Sequence, residues 1–149
     1  MSETEERARV VAEARRWVRT PYHTNADVMG AGVDCGMLLV RVFVDTGLVE
    51  PFDPRPYPTD WHMHRSEERY LGFVTGRSRQ VEEPGLGDIV LFRFGRCYSH
   101  GGIVTGLGPV RIVHAHMPAR MVLEEILSKC PELSLHGRTP HYYSVWPRS

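Results

Sequence analysis

Hydrophobic and polar positions are arranged differently in the two parts of the chain, and the first part has helical spacing. In residues 3–18 apolar side chains recur at helical intervals among Glu and Arg, which predicts an amphipathic helix. Pro21 ends it, because the residue before a proline avoids the helical region. Residues 34–47 are apolar on nearly every face, with Asp34 and Gly47 suited to cap the two ends. Their length and these caps predict a buried helix.

Short apolar runs separated by glycine turns fill the second part of the chain and predict strands. We expect an antiparallel meander of about five strands, over residues 89–94, 98–105, 110–116, 121–125 and 141–146. Between the two parts, four prolines make residues 50–60 an extended loop, and residues 61–74 are predicted to form a second surface helix. Helices followed by strands predict an α+β fold, and the length fits a single domain over residues 1–149.

Composition and charge exclude several classes of partner. Hydrophobic residues make up 42% and charged residues 24%, as in soluble globular domains. Eighteen basic residues balance eighteen acidic ones, so no bulk charge attracts nucleic acid or acidic lipid. No apolar run reaches the ~18 residues that span a bilayer, and residues 1–9 lack the apolar core of a secretory signal. We therefore expect no nucleic-acid binding, no membrane insertion and a cytoplasmic protein as synthesised.

The three cysteines indicate a free thiol rather than a disulfide framework. The cysteines are Cys35, Cys97 and Cys130, an odd number with no short repeat spacing. Cys35 follows the predicted helix cap, where unpaired backbone N–H groups stabilise a thiolate. By position alone, a cysteine that merely packs in the core is the commoner case. The sequence assigns no role to the other two.

Histidines in the strand region supply a partner for such a thiol. His100 opens a predicted strand, and a helix cysteine facing a strand histidine is how a thiolate–imidazolium pair is built. Small residues after His100 permit close approach of another element. His114 lies on the next strand, where it can orient the imidazole of His100 as the third member of a triad does. His116 shares a strand face with His114, so the pattern does not choose between them.

Five short motifs occur in an order that resembles the NlpC family of papain-like cell-wall peptidases. They are Thr20-Pro21-Tyr22, Val33-Asp34-Cys35-Gly36, and residues 86–92, 99–104 and 112–115. The resemblance covers about residues 10–124. It implies a cysteine-bearing helix packed on an antiparallel sheet, and hydrolysis of amide bonds in peptidoglycan stem peptides, of the D-glutamyl–diaminopimelate type, through an acyl-enzyme. No cofactor and no metal are implied.

The resemblance also implies residue roles. Cys35 would be the nucleophile, His100 the base and His114 the orienting residue, with Tyr22 as an oxyanion or substrate contact and Asp34 serving the helix cap. The carboxylates of a stem peptide call for cationic or hydrogen-bonding groups in the cleft. Candidates from the sequence are Arg19, His23, Asn25 and His116.

The phage-tail and gene-transfer-particle peptidases are the version that the chain is most similar to. A proline-rich insert at residues 51–61 and the lack of a secretory signal fit that version, which would make particle proteins its partners and carry it to the cell wall.

Departures from the family pattern concern the cleft. The usual Cys-Ser-Gly is Cys35-Gly36-Met37 here, and the usual His-Val-Gly-Ile is residues 100–103, His-Gly-Gly-Ile. The loop at residues 23–26 lacks the usual aromatic residue and paired glycines. Substrate preference therefore stays open.

Three other functions fit parts of the pattern. Cys97 and His100, three residues apart, with His114 and His116, two apart, are capable of binding zinc, which would give a zinc-dependent hydrolase. A non-catalytic tail-assembly protein is the second alternative. An amidase or acyltransferase on the same scaffold is the third, since these enzymes share acyl-enzyme chemistry.

Overall fold

The two helices predicted near the N-terminus are present and end slightly earlier than the pattern indicates. The computed structural model describes residues 1–55, 72, 74–94, 97–134 and 139–147. Helix α1 spans Glu3–Arg16 and helix α2 spans Cys35–Asp45. Gly47 lies just beyond the end of α2 with φ of 79°, a left-handed conformation that glycine adopts without strain. The predicted helix at residues 61–74 falls largely outside the described residues.

A six-stranded antiparallel sheet forms the second part of the chain, in the order β3-β8-β4-β5-β6-β7. The strands are β3 (Arg79–Val81), β4 (Ile89–Phe94), β5 (Cys97–Gly106), β6 (Arg111–His116), β7 (Met121–Ile126) and β8 (His141–Ser144). The five predicted strands are confirmed. The sixth, β3, escaped the sequence analysis because three residues, two of them polar, carry no readable alternation.

Short elements complete the described fold. A two-stranded sheet, β1 (Asp27–Val28) with β2 (Gly32–Val33), lies between α1 and α2. A 3₁₀ turn at Leu127–Lys129 leads into the four-residue helix α3, Pro131–Ser134. In the part of the chain that the structure describes, no helix combines the length and the apolar composition that crossing a membrane requires.

Helix α2 is buried between α1 and the sheet, which explains why it is apolar on nearly every face. It packs on β5 and β6, and α1 packs on both α2 and β5. Met37, Leu38 and Val42 are at most 1% exposed. The strands alternate between two faces, so Ile103 joins this core while Val104 joins a smaller cluster beneath α3.

The segment after α1 runs along the edge of β7 and brings Tyr22 to the start of α2. The amide of Arg19 donates to Val122 O (2.8 Å), and the amide of Tyr22 donates to Arg120 O (2.8 Å). The amide of Val33 in turn donates to Pro21 O (3.0 Å). These bonds tie the segment to β7 and its preceding turn on one side, and to β2, the strand before α2, on the other.

Strands β5 and β6 approach each other closely at Gly102. A Cβ atom there would lie 2.8 Å from Val113 O and 3.0 Å from the Cβ of His114. A glycine at this position therefore accommodates the neighbouring strand β6.

Replacing Gly102 with Ala should lower the free energy of unfolding by about 1–3 kcal/mol, because the backbone of β6 must move to admit the methyl group. Urea denaturation measures the change. Gly72→Ala is the matched control, since a Cβ at Gly72 meets nothing within 4 Å, and its unfolding free energy should not fall. An equally stable Gly102→Ala protein would contradict the close approach.

Candidate active site

Asp34 fixes the start of the helix that carries Cys35. Its carboxylate accepts hydrogen bonds from the amide of Met37 (2.8 Å) and from the amide of Asn25 (2.7 Å). The first of these bonds is an N-cap, as the sequence predicted. The second holds the loop of residues 23–26 against the same helix end. Asp34 is 2% exposed, so both bonds are sheltered from water.

The Cys35 thiol lies between the start of α2 and the strand that carries His100. Backbone N–H groups of Gly101, Gly36 and Cys35 itself point at its sulfur. Gly101 directly follows His100, so the sulfur and the imidazole occupy the same corner of the fold. This arrangement brings together the helix cysteine and the strand histidine of the sequence analysis.

Burial nevertheless opposes ionisation of Cys35. Desolvation first, and then the Asp34 carboxylate, raise the pKa of the thiol to about 12, although the three N–H groups lower it in part. Removal from water, followed by the charges of His114 and His116, lowers the pKa of His100 well below its ordinary value. Both directions favour a neutral thiol beside a neutral imidazole. Burial thus opposes the thiolate–imidazolium pair that the sequence analysis expects, and that pair stays a prediction.

Tyr22 stands next to these groups as a hydrogen-bond donor. Burial first, and then the charges of Cys35 and Asp34, raise the pKa of its phenol. The hydroxyl consequently keeps its proton at neutral pH. Among the described residues between α1 and Val33, Tyr22 is the one whose pKa is shifted by the charge of the Cys35 sulfur.

His114, rather than His116, contacts the predicted base. Nε2 of His100 lies 2.8 Å from Nδ1 of His114, across the β5–β6 pair. The two rings meet edge to face, with centroids 5.1 Å apart. His114 is fully buried, with 0% exposure, so its orientation is set by the strands around it.

Glu125 continues this chain of contacts from strand β7. One oxygen of its carboxylate lies 2.6 Å from Nε2 of His114 and accepts a weaker bond from the Cys130 thiol (3.4 Å). Burial is the largest single influence and raises the pKa of Glu125, but the hydrogen bond and charge of His114, the Cys130 thiol and the charge of His116 together lower it below its ordinary value. The carboxylate is therefore ionised and acts as an acceptor.

An ionised acceptor at one end fixes the tautomers of both histidines. Nε2 of His114 must donate to Glu125, so Nδ1 of neutral His114 accepts, and Nε2 of His100 donates to it. Neutral His100 then carries its free lone pair on Nδ1, and Nδ1 is the nitrogen through which it can accept a proton. Glu125 was missed by the sequence analysis, because an acidic residue in a strand reads as solvent-facing until the register of β6 and β7 is known.

The remaining predicted residues take varied positions. His23 is exposed, and its Nδ1 lies 3.1 Å from the carbonyl of Thr24. His116 is 7% exposed, with its ring 4.9 Å from that of His114. Their roles in substrate binding stay predictions. Arg19 is exposed and Asn25 is held by Asp34, both with positive φ.

The structure brings together a different group of potential zinc ligands from the one that the sequence suggested. Among the described residues, His114, His116 and Glu125 bring their ligand atoms within 4.8 Å of one another. The side chain of Cys97 lies outside the described part of the chain. The set that the structure assembles thus contains Glu125, which the sequence analysis did not include.

Solved structures of other proteins share this fold. The chain is 20% identical to the NlpC/p60 domain of the peptidoglycan hydrolase SagA, with a TM-score of 0.58 over 92% of this chain and 96% of that chain. It is 14% identical to NlpC2 from Trichomonas vaginalis, with a TM-score of 0.66 over 97% of this chain and 50% of that chain. It is 12% identical to an N-acetylmuramoyl-L-alanine amidase from Bacteroides uniformis, with a TM-score of 0.60 over 93% and 98% of the two chains.

Sequence comparison adds no closer assignment. No protein-family model matches the chain, and no curated protein matches it. Identities of this size establish architecture alone. The chain therefore has the papain-like α+β fold of NlpC/p60 domains, as its sequence motifs predicted.

Proposed function

We propose that the protein is a cysteine hydrolase that cleaves amide bonds in peptidoglycan stem peptides. The observation that carries the proposal is the approach of the Gly101 amide to the Cys35 sulfur, with the His100–His114–Glu125 chain behind it. A thiol at a helix N-terminus, a neighbouring imidazole and a third group orienting that imidazole are the parts of a nucleophilic triad. The peptidoglycan hydrolases and amidase that share the fold support the substrate class.

The reaction begins from the neutral pair. As the Cys35 sulfur attacks the scissile carbonyl, its proton passes to Nδ1 of His100, and a carbon–sulfur bond forms. The carbon–nitrogen bond then breaks, and His100 returns the proton to the leaving amine. Water, deprotonated by His100, attacks the thioester, and the carbon–sulfur bond breaks with the proton returning to the thiol. N–H groups at the start of α2 and the Tyr22 hydroxyl are donors for the oxyanion.

The bond next to D-glutamate in diaminopimelate-type stems is the proposed target. The family motifs around Cys35 and His100 support this choice. A second candidate is the lactyl–alanine amide, because an N-acetylmuramoyl-L-alanine amidase shares the fold over almost its whole length. Mass spectrometry of the released fragments distinguishes the two bonds, since one product retains L-Ala and D-Glu on the sugar and the other leaves the sugar bare.

A phage-tail or gene-transfer particle is the proposed setting of this activity. The motif resemblance and the proline-rich insert support it. Hydrolysis by purified particles that contain the chain, and loss of that hydrolysis in particles carrying Cys35→Ser, is the test.

Purified protein should release stem fragments from peptidoglycan, and Cys35→Ser should abolish release while keeping its circular dichroism spectrum. A serine hydroxyl has a far higher pKa than a thiol, so in a site built around a thiol it is a much poorer nucleophile. Iodoacetamide should abolish the activity, whereas a chelator should not lower it. His141→Ala, on the far strand β8, is the control. Chelator-sensitive and alkylator-resistant hydrolysis would mean a zinc-dependent hydrolase instead, and no hydrolysis of any wall preparation would favour a tail-assembly protein.

Alkylation of Cys35 should accelerate with pH well beyond neutrality. Since burial raises the pKa of the thiol to about 12, its thiolate fraction should grow about tenfold per pH unit. The rate of iodoacetamide labelling, followed by peptide mapping, should therefore keep rising between about pH 7 and 9.5. The labelling rate of a free small thiol, measured in parallel, should level off within that range. A plateau already reached at pH 7 would instead show a resting thiolate–imidazolium pair.

Glu125→Gln should reduce kcat about 10- to 100-fold and leave KM nearly unchanged, because an amide can donate to His114 as well as accept and no longer enforces one tautomer. Two-bond ¹H–¹⁵N NMR spectra of the His100 ring should show a mixture of tautomers in the variant. Glu124→Gln is the matched control on the same strand, since Glu124 binds Thr105 (2.6 Å) instead. Normal turnover with Gln at position 125, and an unchanged His100 spectrum, would remove Glu125 from the mechanism.

A further inference from the structure

His116 is a buried polar side chain that the proposed mechanism leaves unused. It is 7% exposed, and among the described residues neither of its ring nitrogens has a hydrogen-bond partner. Burial of an unpaired imidazole costs free energy, and buried polar groups in proteins are satisfied by a side chain, a water or an ion. The position of His116 therefore calls for a further ligand.

The side chains around His116 are suited to a cation. One ligand atom each from His114, His116 and Glu125 lies within 4.8 Å of the others. Two ligands of a tetrahedral zinc ion, each about 2.1 Å from the metal, are roughly 3.4 Å apart. Small side-chain rotations would bring separations of up to 4.8 Å to that value and lengthen the 2.6 Å between His114 Nε2 and the Glu125 carboxylate. Two imidazoles and one carboxylate are the donor set of many zinc sites.

Access and charge agree with this assignment. The Glu125 side chain is 29% exposed, so the cluster opens to solvent on its side. A carboxylate ligand brings the negative charge that a divalent cation requires.

We propose that His114, His116 and Glu125 form a binding site for a divalent transition cation such as Zn²⁺, and that occupation of this site prevents His100 from acting as a base. Binding depends on the three side chains alone. Its effect on turnover rests on the proposed function.

Proton positions explain the inhibition. A metal ion takes the lone pair of His114 Nε2, the nitrogen that faces Glu125, so the proton of neutral His114 moves to Nδ1. Nδ1 then donates to Nε2 of His100, which must accept, and the proton of His100 moves to its own Nδ1. The number of protons on the two rings is unchanged. The nitrogen that should receive the Cys35 proton is now occupied.

The binding experiment uses Zn²⁺ alone with the full chain, stripped of metal by a chelator that is then removed. Calorimetric titration, or competition with a chromophoric chelator, should show one equivalent bound. His116→Ala and Glu125→Gln should each weaken binding by more than about tenfold, because each removes or weakens a ligand. Two ligand variants are used so that a folding defect in either can be recognised by circular dichroism. His141→Ala should bind like the unaltered protein.

Cys35→Ala separates this site from the catalytic thiol, which is itself a potential zinc ligand. Binding should persist in this variant. Binding that disappears in Cys35→Ala but survives in His116→Ala would overturn the proposal, and so would the absence of binding to the unaltered protein.

The tautomer exchange has a readout that does not require an enzyme assay. The ¹⁵N shift of His100 Nδ1 should change on zinc addition from that of an unprotonated to that of a protonated ring nitrogen. If the metal-free protein hydrolyses peptidoglycan, one equivalent of zinc should abolish turnover, and excess chelator should restore it. Zinc that binds without moving the His100 spectrum or the rate overturns the inhibitory half. Absence of hydrolysis in metal-free protein counts against the proposed function, while the titration and the spectrum still decide the metal site.

Discussion

Burial of α2 against β5 and β6 is the constraint on which the site depends. Eight of the eleven residues of the helix are buried, which holds its first residue between the sheet and the segment that carries Tyr22. Asp34 holds that end through two amides, one from the helix and one from the loop before it. The thiol is thereby fixed beside β5. A nucleophile on a surface helix would lack this restraint.

The same burial sets the electrostatics. A desolvated thiol and a desolvated imidazole both resist charge, and in the proposed mechanism the helix terminus acts on the charge that develops during attack. Orientation of the base then matters more than a standing ion pair. The Glu125 carboxylate supplies that orientation from two strands away, through the fully buried His114.

Much of the fold was readable from the sequence, because α1 repeats its helical spacing over several turns, α2 is marked by its length and caps, and β4 to β7 are apolar runs between turn residues. The elements that were missed, β1 to β3 and α3, are two to four residues long and offer no period to read. For the site, Cys35 and His100 were predicted from their positions at the starts of elements, and His114 from the family register; the structure adds the contact between His100 and His114. Glu125 could not be found in this way. Strands β6 and β7 pair so that His114 lies opposite Leu123, and Glu125 reaches His114 from two residues further along β7. The difference between His114 and His116 likewise depends on side-chain direction, which spacing does not contain.

The segment after α1 also has a consequence for solubility. Strand β7 is the last strand of the sheet, but the amides and carbonyls around Val122 are already paired with Arg19 and Thr20. At the opposite margin β3 is three residues long and carries Arg and Gln. Unpaired sheet margins are templates on which other chains can add strands. Here one margin is closed in part by the protein's own backbone and the other is too short and too polar to serve, which disfavours aggregation through the sheet.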